Sequence, residues 1–134
     1  MSLIKIKAAL EVALNGISPA LSTAWENAEF TPVNGTPYQI ANLLPAEPFN
    51  AEFSASYRAQ GILQVTLMYP LLAGSVAAMT RAELIKATFK RGNTFTYLTL
   101  DVSIQNTPAI GNGRKDGDRW MLPVDIRYFA HVTA

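Results

Sequence analysis

Apolar residues recur at three- and four-residue steps in two stretches of the chain and alternate with polar residues in several others, and these two rhythms predict its elements. Leu3, Ile6, Leu10, Ala13 and Leu14 share one face of an N-terminal helix, which Ser2 can cap and Asn15-Gly16 can end in a left-handed turn. Beyond Pro19 the rhythm loosens into a short strand candidate at Thr23-Ala24-Trp25-Glu26. A turn at Asn34-Gly35 precedes a strand over 38–44, with Pro37 before it and Pro45 at its end.

The strongest alternation covers 62–69, where Leu63, Val65, Leu67 and Tyr69 take one face and Ile62, Gln64, Thr66 and Met68 the other. A second helix is expected over 75–91, because Ala78, Ala82, Ile85 and Phe89 fall on one face. Lys86, Lys90 and Arg91 gather at its C-terminal end, where the helix dipole favours cations, and Gly92 stops it. Thr80-Arg81-Ala82-Glu83 also fits a capping box that would start the helix one turn later. Leu98, Leu100, Val102 and Ile104 form a further strand. Trp120, Leu122, Val124, Ile126, Tyr128, Ala130 and Val132 form a long last one.

Helix, strands, helix, strands, with one polar face per strand, predicts an α+β domain: an antiparallel or mixed sheet with two main helices packed on one face, a two-layer sandwich. Met68, Met121 and Phe129 lie on the second face and ask for an extra layer or a neighbouring subunit. The 134 residues and 14.6 kDa fit one domain, 1–134, large enough to bury a core unaided. Lys5 and Lys7 interrupt the first apolar stretch, so a signal peptide is not expected, and no run is long enough to span a membrane.

Charge changes this picture. At 16% charged the chain is poor in ionic residues for its size, which suits a surface partly covered by partners. Between positions 8 and 57 stand the acids Glu11, Glu26, Glu29, Glu47 and Glu52, and no Lys or Arg. The net charge of +1 therefore conceals −5 in that window against +6 outside it. Unlike patches on one subunit are what head-to-tail self-association uses. The long loop 45–56 combines Glu47 and Glu52 with Phe49 and Phe53, a pair of aromatics suited to a lid over the core or to an anchor on a partner.

Chemistry finds little support. The chain has no Cys and a single histidine, His131, near its end, so thiol nucleophiles, disulfides, thiolate zinc sites and a histidine metal centre are excluded. No nucleophile elbow occurs. The loop 111–119 carries Arg114, Lys115, Asp116, Asp118 and Arg119 among three glycines, but it leads into a strand and so fails the phosphate-loop pattern. As a calcium loop it interposes cations and lacks the closing Glu. It reads as a hairpin tip or as a charged contact to a neighbour. Neither a catalytic residue, a metal nor a cofactor is expected, and sequence-specific nucleic-acid binding lacks a reader motif.

Several stretches resemble the small tail-terminator-like proteins of long-tailed bacteriophages and prophages, similar in type to the lambda tail terminator. They are Ala24-Trp25-Glu26-Asn27, Leu43-Leu44-Pro45-Ala46-Glu47-Pro48, Arg81-Ala82-Glu83-Leu84-Ile85 with Phe89-Lys90-Arg91-Gly92, and Pro108-Ala109-Ile110-Gly111 through Gly117-Asp118-Arg119. The resemblance implies an α/β subunit that forms a six-membered ring on the head-proximal end of the tail tube, stops tube growth and joins tail to head. Its partners would be its own copies, as a hexameric ring or as a monomer while free, the tail tube protein and head-tail connector proteins, with assembly in the bacterial host cytoplasm and a place in the virion tail. The expected contact sets Glu47, Phe49, Glu52 and Phe53 against Lys86, Lys90 and Arg91 of the next copy, or against the 114–119 tip. Two rivals are a head-tail neck or adaptor component, and a small ligand-binding or hydrolase domain in which Glu26 or Asp125 would lie buried beside a cavity.

Overall fold

Helix α1 takes Ser2–Asn15, and β1 (Ser22–Ala24), β2 (Tyr38–Pro45) and β3 (Tyr57–Pro70) follow. Helix α2 takes Val76–Thr88, before β4 (Thr94–Tyr97), β5 (Leu100–Ile104), β6 (Ala109–Ile110), β7 (Arg114–Asp116) and β8 (Arg119–Val132). The structure, a computed structural model, describes residues 2–18, 21–26, 28–32, 35–50, 56–71 and 74–132. The expected roles of Asn34, Glu52 and Phe53, and of the Ser2 side chain, lie outside what is described.

The eight strands form one mixed sheet in the order β1-β2-β3-β8-β5-β4. Its spine is the antiparallel pair β3 and β8, in register from Tyr57↔Val132 to Pro70↔Arg119. On the other edge of β8 three short strands follow one another: β5 at Phe129 and Tyr128, β6 at Asp125 and Val124, and β7 at Met121 to Arg119. From Ile110↔Val124 to Arg114↔Met121 the β6–β7 side has one residue more than β8, a bulge. The break sits opposite Pro123, whose carbonyl accepts from Gly111 N at 2.8 Å and which has no N–H to give.

The alternation expected on the two long strands is present. Leu63, Val65 and Leu67 of β3 and Leu122, Val124, Ile126 and Tyr128 of β8 are buried and belong to one hydrophobic cluster with Ile6, Leu10 and Leu14 of α1, Ala78, Ala82 and Ile85 of α2, and Phe89 at the C-terminal cap of α2. Helix α1 packs against β4 and β5, α2 against β3 and β8, and the helices touch each other. Gly61 lets Tyr128 pass close to the main chain of β3: a Cβ there would lie 2.6 Å from the Tyr128 hydroxyl oxygen.

Several boundaries differ from the sequence pattern. Helix α2 stops at Thr88, so Lys90 and Arg91 stand in the turn after it, ended by Gly92 at φ 91°. Thr80 does not begin the helix; its hydroxyl donates back to the Val76 carbonyl, 2.8 Å away. Gly16 is not among the described glycines with positive φ, so α1 ends without the left-handed turn. Leu3, assigned to the buried face, is half exposed. The strand expected to include Leu98 is a hairpin, β4 and β5 joined through Leu98-Thr99. The 111–119 loop follows β6 directly and contains the strand β7 and a two-residue turn, Gly117-Asp118, into β8.

Candidate functional site

The expected contact residues that are described fall in three places, after β2, around the end of α2 and at the start of β8. Glu47 and Phe49 follow β2, where Phe49 exchanges two main-chain hydrogen bonds with Arg58 (2.8 and 3.0 Å) and prolongs the β2–β3 hairpin. What reads as a long loop is therefore anchored on its described side. The Glu47 carbonyl accepts from Gln60 Nε2 at 3.1 Å, and both Glu47 and Phe49 are exposed, Phe49 by 56%.

Lys90 and Arg91 occupy the opposite flank. Gly92 N donates to the Ile104 carbonyl (3.1 Å) and Ile104 N to the Asn93 carbonyl (2.9 Å), which ties the turn to β5 just before β4 begins. Both side chains are exposed, and Lys86 is half-buried on the last turn of α2. Gln60, which holds Glu47, pairs with Phe129; Phe129 pairs with Ser103, and Ser103 with Thr94. The acidic residue and the basic turn thus lie at the same height on two flanks of one sheet. Three strand spacings of about 4.8 Å separate β3 from β4.

The 114–119 residues are elsewhere. They form the hairpin at the start of β8, ten positions before the Phe129 rung, roughly 30 Å along the strand. Arg114, Lys115, Asp116 and Asp118 are exposed there, while Arg119 is only 6% exposed. Its guanidinium donates to the Thr36 carbonyl and lies over the Tyr38 ring. Arg119 is built into the fold, and the charged pattern around it concealed that.

The acidic window is also thinner in space than in sequence. Glu11 pairs with Lys7 one helical turn away. Glu26 accepts the Leu43 N–H through Oε1, beyond the point where β1 stops covering β2. With Pro45 lacking an N–H, this closes part of the outer edge of β2 to further strands. Glu26 is exposed and Asp125 is half-buried, its carboxylate accepting from Gln64 Nε2 at 3.2 Å. Neither is the enclosed carboxylate that a hydrolase reading needs.

The second sheet face is partly covered by the chain itself. Arg58 stacks on Phe129 at 4.3 Å and His131 meets the same ring edge-on at 5.7 Å, while Phe30 packs beside Tyr38 and Met68 is buried. An open depression of about 520 Å³ on this face is lined by Gln64, Thr66, Arg114, Met121 and Pro123 among others. Ionisable groups are also drawn into the core. Burial raises the pKa of Tyr69, with Arg81 offsetting part of the rise; burial lowers that of Arg81, with Tyr69 opposing; and burial raises that of Tyr128. Among the described residues no group of three or more His, Asp or Glu is placed to hold a metal ion.

By geometry this is an α+β fold, two helices and a mixed sheet, with two unlike flanks. Comparison with known proteins gives it a family: the chain belongs to the phage tail terminator proteins, whose family model matches residues 5–128. That family is structural rather than catalytic and places the chain among the proteins of the phage tail. Nine chains of solved structures match, one with a TM-score of 0.79 and 26% identity, over 100% of this chain and 99% of that one. No curated protein matches.

Proposed function

We propose that this protein is the subunit of a tail terminator ring, of a phage or prophage, that caps the head-proximal end of the tail tube, halts its polymerisation and offers the surface to which the head is joined. The two helices would lie on one side of the sheet as a two-layer, single-domain wedge, with six copies closing the circle. The observation that carries this reading, beyond the family, is that Glu47 and the Lys90-Arg91 turn stand at one height on opposite flanks. Such a subunit meets its neighbour through two different patches, the arrangement that generates rings when the rotation closes.

In this reading Glu47, Phe49, Glu52 and Phe53 of one copy face Lys86, Lys90 and Arg91 of the next. The exposed 114–118 hairpin, at the far end of β8, is left to meet the tail tube or the head-tail connector. Exposed ion pairs contribute only about 0 to 1 kcal/mol each, so they set register while apolar contacts hold the ring. Assembly takes place in the host cytoplasm, and the protein ends in the virion.

Negative-stain images of the purified protein mixed with tail tubes test this. Rings at one end of tubes of fixed length are expected. Rings that dock only on the portal side would make it a neck component, and tubes that keep growing in its presence would exclude termination.

A further inference from the structure

The β4–β5 hairpin turns through Leu98 and Thr99, and both have positive φ, 46° and 71°. Tyr97 pairs with Leu100, so this is a two-residue turn of the kind that Asn-Gly normally supplies. Leu and β-branched Thr are poor choices there, since their Cβ atoms clash in the left-handed region. Packing within the chain does not explain the choice, because Leu98 is 64% exposed. A strained residue whose apolar side chain stands mostly in water gains little from burial among the described residues, which directs attention to a contact outside the subunit.

The flank that carries this tip is open and has exposed apolar residues on it. Strand β4 ends the sheet, with no further strand beyond it among the described residues. Helix α1 packs against β4 and exposes Ile4 and Val12, eight residues apart on one stripe, at 59% and 65%. The Lys90-Arg91 turn leads straight into this strand. On the opposite flank, Phe49 and Leu44 are exposed beside the acidic Glu47.

We propose that the Leu98 tip, together with Ile4 and Val12 of α1, is the apolar seat that receives Phe49 of a second copy, with Lys90 and Arg91 facing that copy's Glu47. The occupant is fixed by complementarity. The seat is apolar and flanked by cations, and this chain carries on its other flank an exposed aromatic flanked by an acid. Because the β2 edge is closed by Glu26 and Pro45, the neighbour presents side chains there rather than a strand. This inference rests on the head-to-tail assembly proposed above and names the surface that would hold it.

The test uses two variants of the full chain and a mixture. Leu98→Asn with Thr99→Gly gives the turn its preferred residues and removes the seat; Phe49→Ser removes the plug. Light scattering and native mass spectrometry should show wild type as rings and each variant weakened about tenfold or more in self-association. The melting temperature of the turn variant should rise, since its strain is relieved. An equimolar mixture should stop at a heterodimer of twice 14.6 kDa, because one intact seat and one intact plug remain. Variants that assemble as wild type does, a mixture that forms no heterodimer, a lowered melting temperature in the turn variant, or a wild type that stays monomeric at every soluble concentration would each overturn the contact. Rings that form through this contact and fail to cap tubes would overturn the terminator function and leave the contact standing.

Discussion

The guanidinium carbon of Arg119 lies 5.0 Å from the centroid of the Tyr38 ring, and its Nη1 donates to the Thr36 carbonyl, so the first residue of β8 fastens the segment that leads into β2. These residues are more than eighty positions apart, and the bond crosses the second face of the sheet. Arg119→Ala should lower stability by about 2 to 4 kcal/mol, through the orphaned carbonyl and the emptied space over Tyr38. Arg119→Lys should recover only part, since an ammonium lacks the planar fork. Urea unfolding measures both, and an unchanged midpoint in the alanine variant would show that the clamp contributes nothing.

Gly61 gives a second test, inside the core. An added Cβ would sit 2.6 Å from both the Leu44 carbonyl oxygen and the Tyr128 hydroxyl oxygen. Leu44 contributes main chain of a paired strand and Tyr128 is 1% exposed, so neither can withdraw freely. Gly61→Ala should cost about 1 to 3 kcal/mol. Adding Tyr128→Phe removes the hydroxyl contact but leaves the ring carbon Cζ 2.9 Å from the added Cβ, so a double-mutant cycle should show the pair to be less than additive with part of the cost remaining.

The parts of this fold legible in the sequence are those where periodicity meets a core. Ala78, Ala82, Ile85 and Phe89 mark α2, and the even positions of β8 mark its buried side, because burial there demands apolar residues at the element's own period. Strand β4 was hidden because its turn has neither Gly nor Asn, and Leu98 happens to fall in phase with Leu100 and Val102. Strand β7 was hidden because Arg114, Lys115 and Asp116 are exposed at a rim and carry no apolar signal. Arg119 looked like part of that tip. Its burial depends on residues 36 and 38, a contact no local pattern encodes. The acidic window was visible, but that Glu47 and Lys90 stand on opposite flanks follows only from the order of strands between them.

Alkaline pH should destabilise the fold. Burial raises the pKa of Tyr128, and of Tyr69 despite the opposing pull of Arg81, while the unfolded chain titrates its tyrosines near the ordinary value of about 10. Above that pH the unfolded state has lost protons that the folded state keeps, so the stability of the neutral buried hydroxyls, complete below about pH 10, falls as pH rises through the folded values. Thermal melts from neutral pH upward should show a decline that begins near pH 10, and Tyr128→Phe should make it shallower. An equally steep decline in that variant would exclude Tyr128 as a source.

The flank charges predict a swap. Glu47→Lys places a cation opposite the Lys90-Arg91 turn of the neighbouring copy in the proposed contact, and self-association at low salt should weaken by a factor of a few, since exposed pairs contribute about 0 to 1 kcal/mol each. Lys90→Glu with Arg91→Glu should weaken it likewise. Combining all three changes within one chain restores opposite signs across every junction, so association should return toward the wild-type value. High salt, which shortens the screening length to about 3 Å at 1 M, should erase the differences among all four proteins. Sedimentation across a salt series reads each of these. If the combined variant is weaker than either parent at low salt, Glu47 and the basic turn do not face each other, and the ring, if there is one, closes through other surfaces.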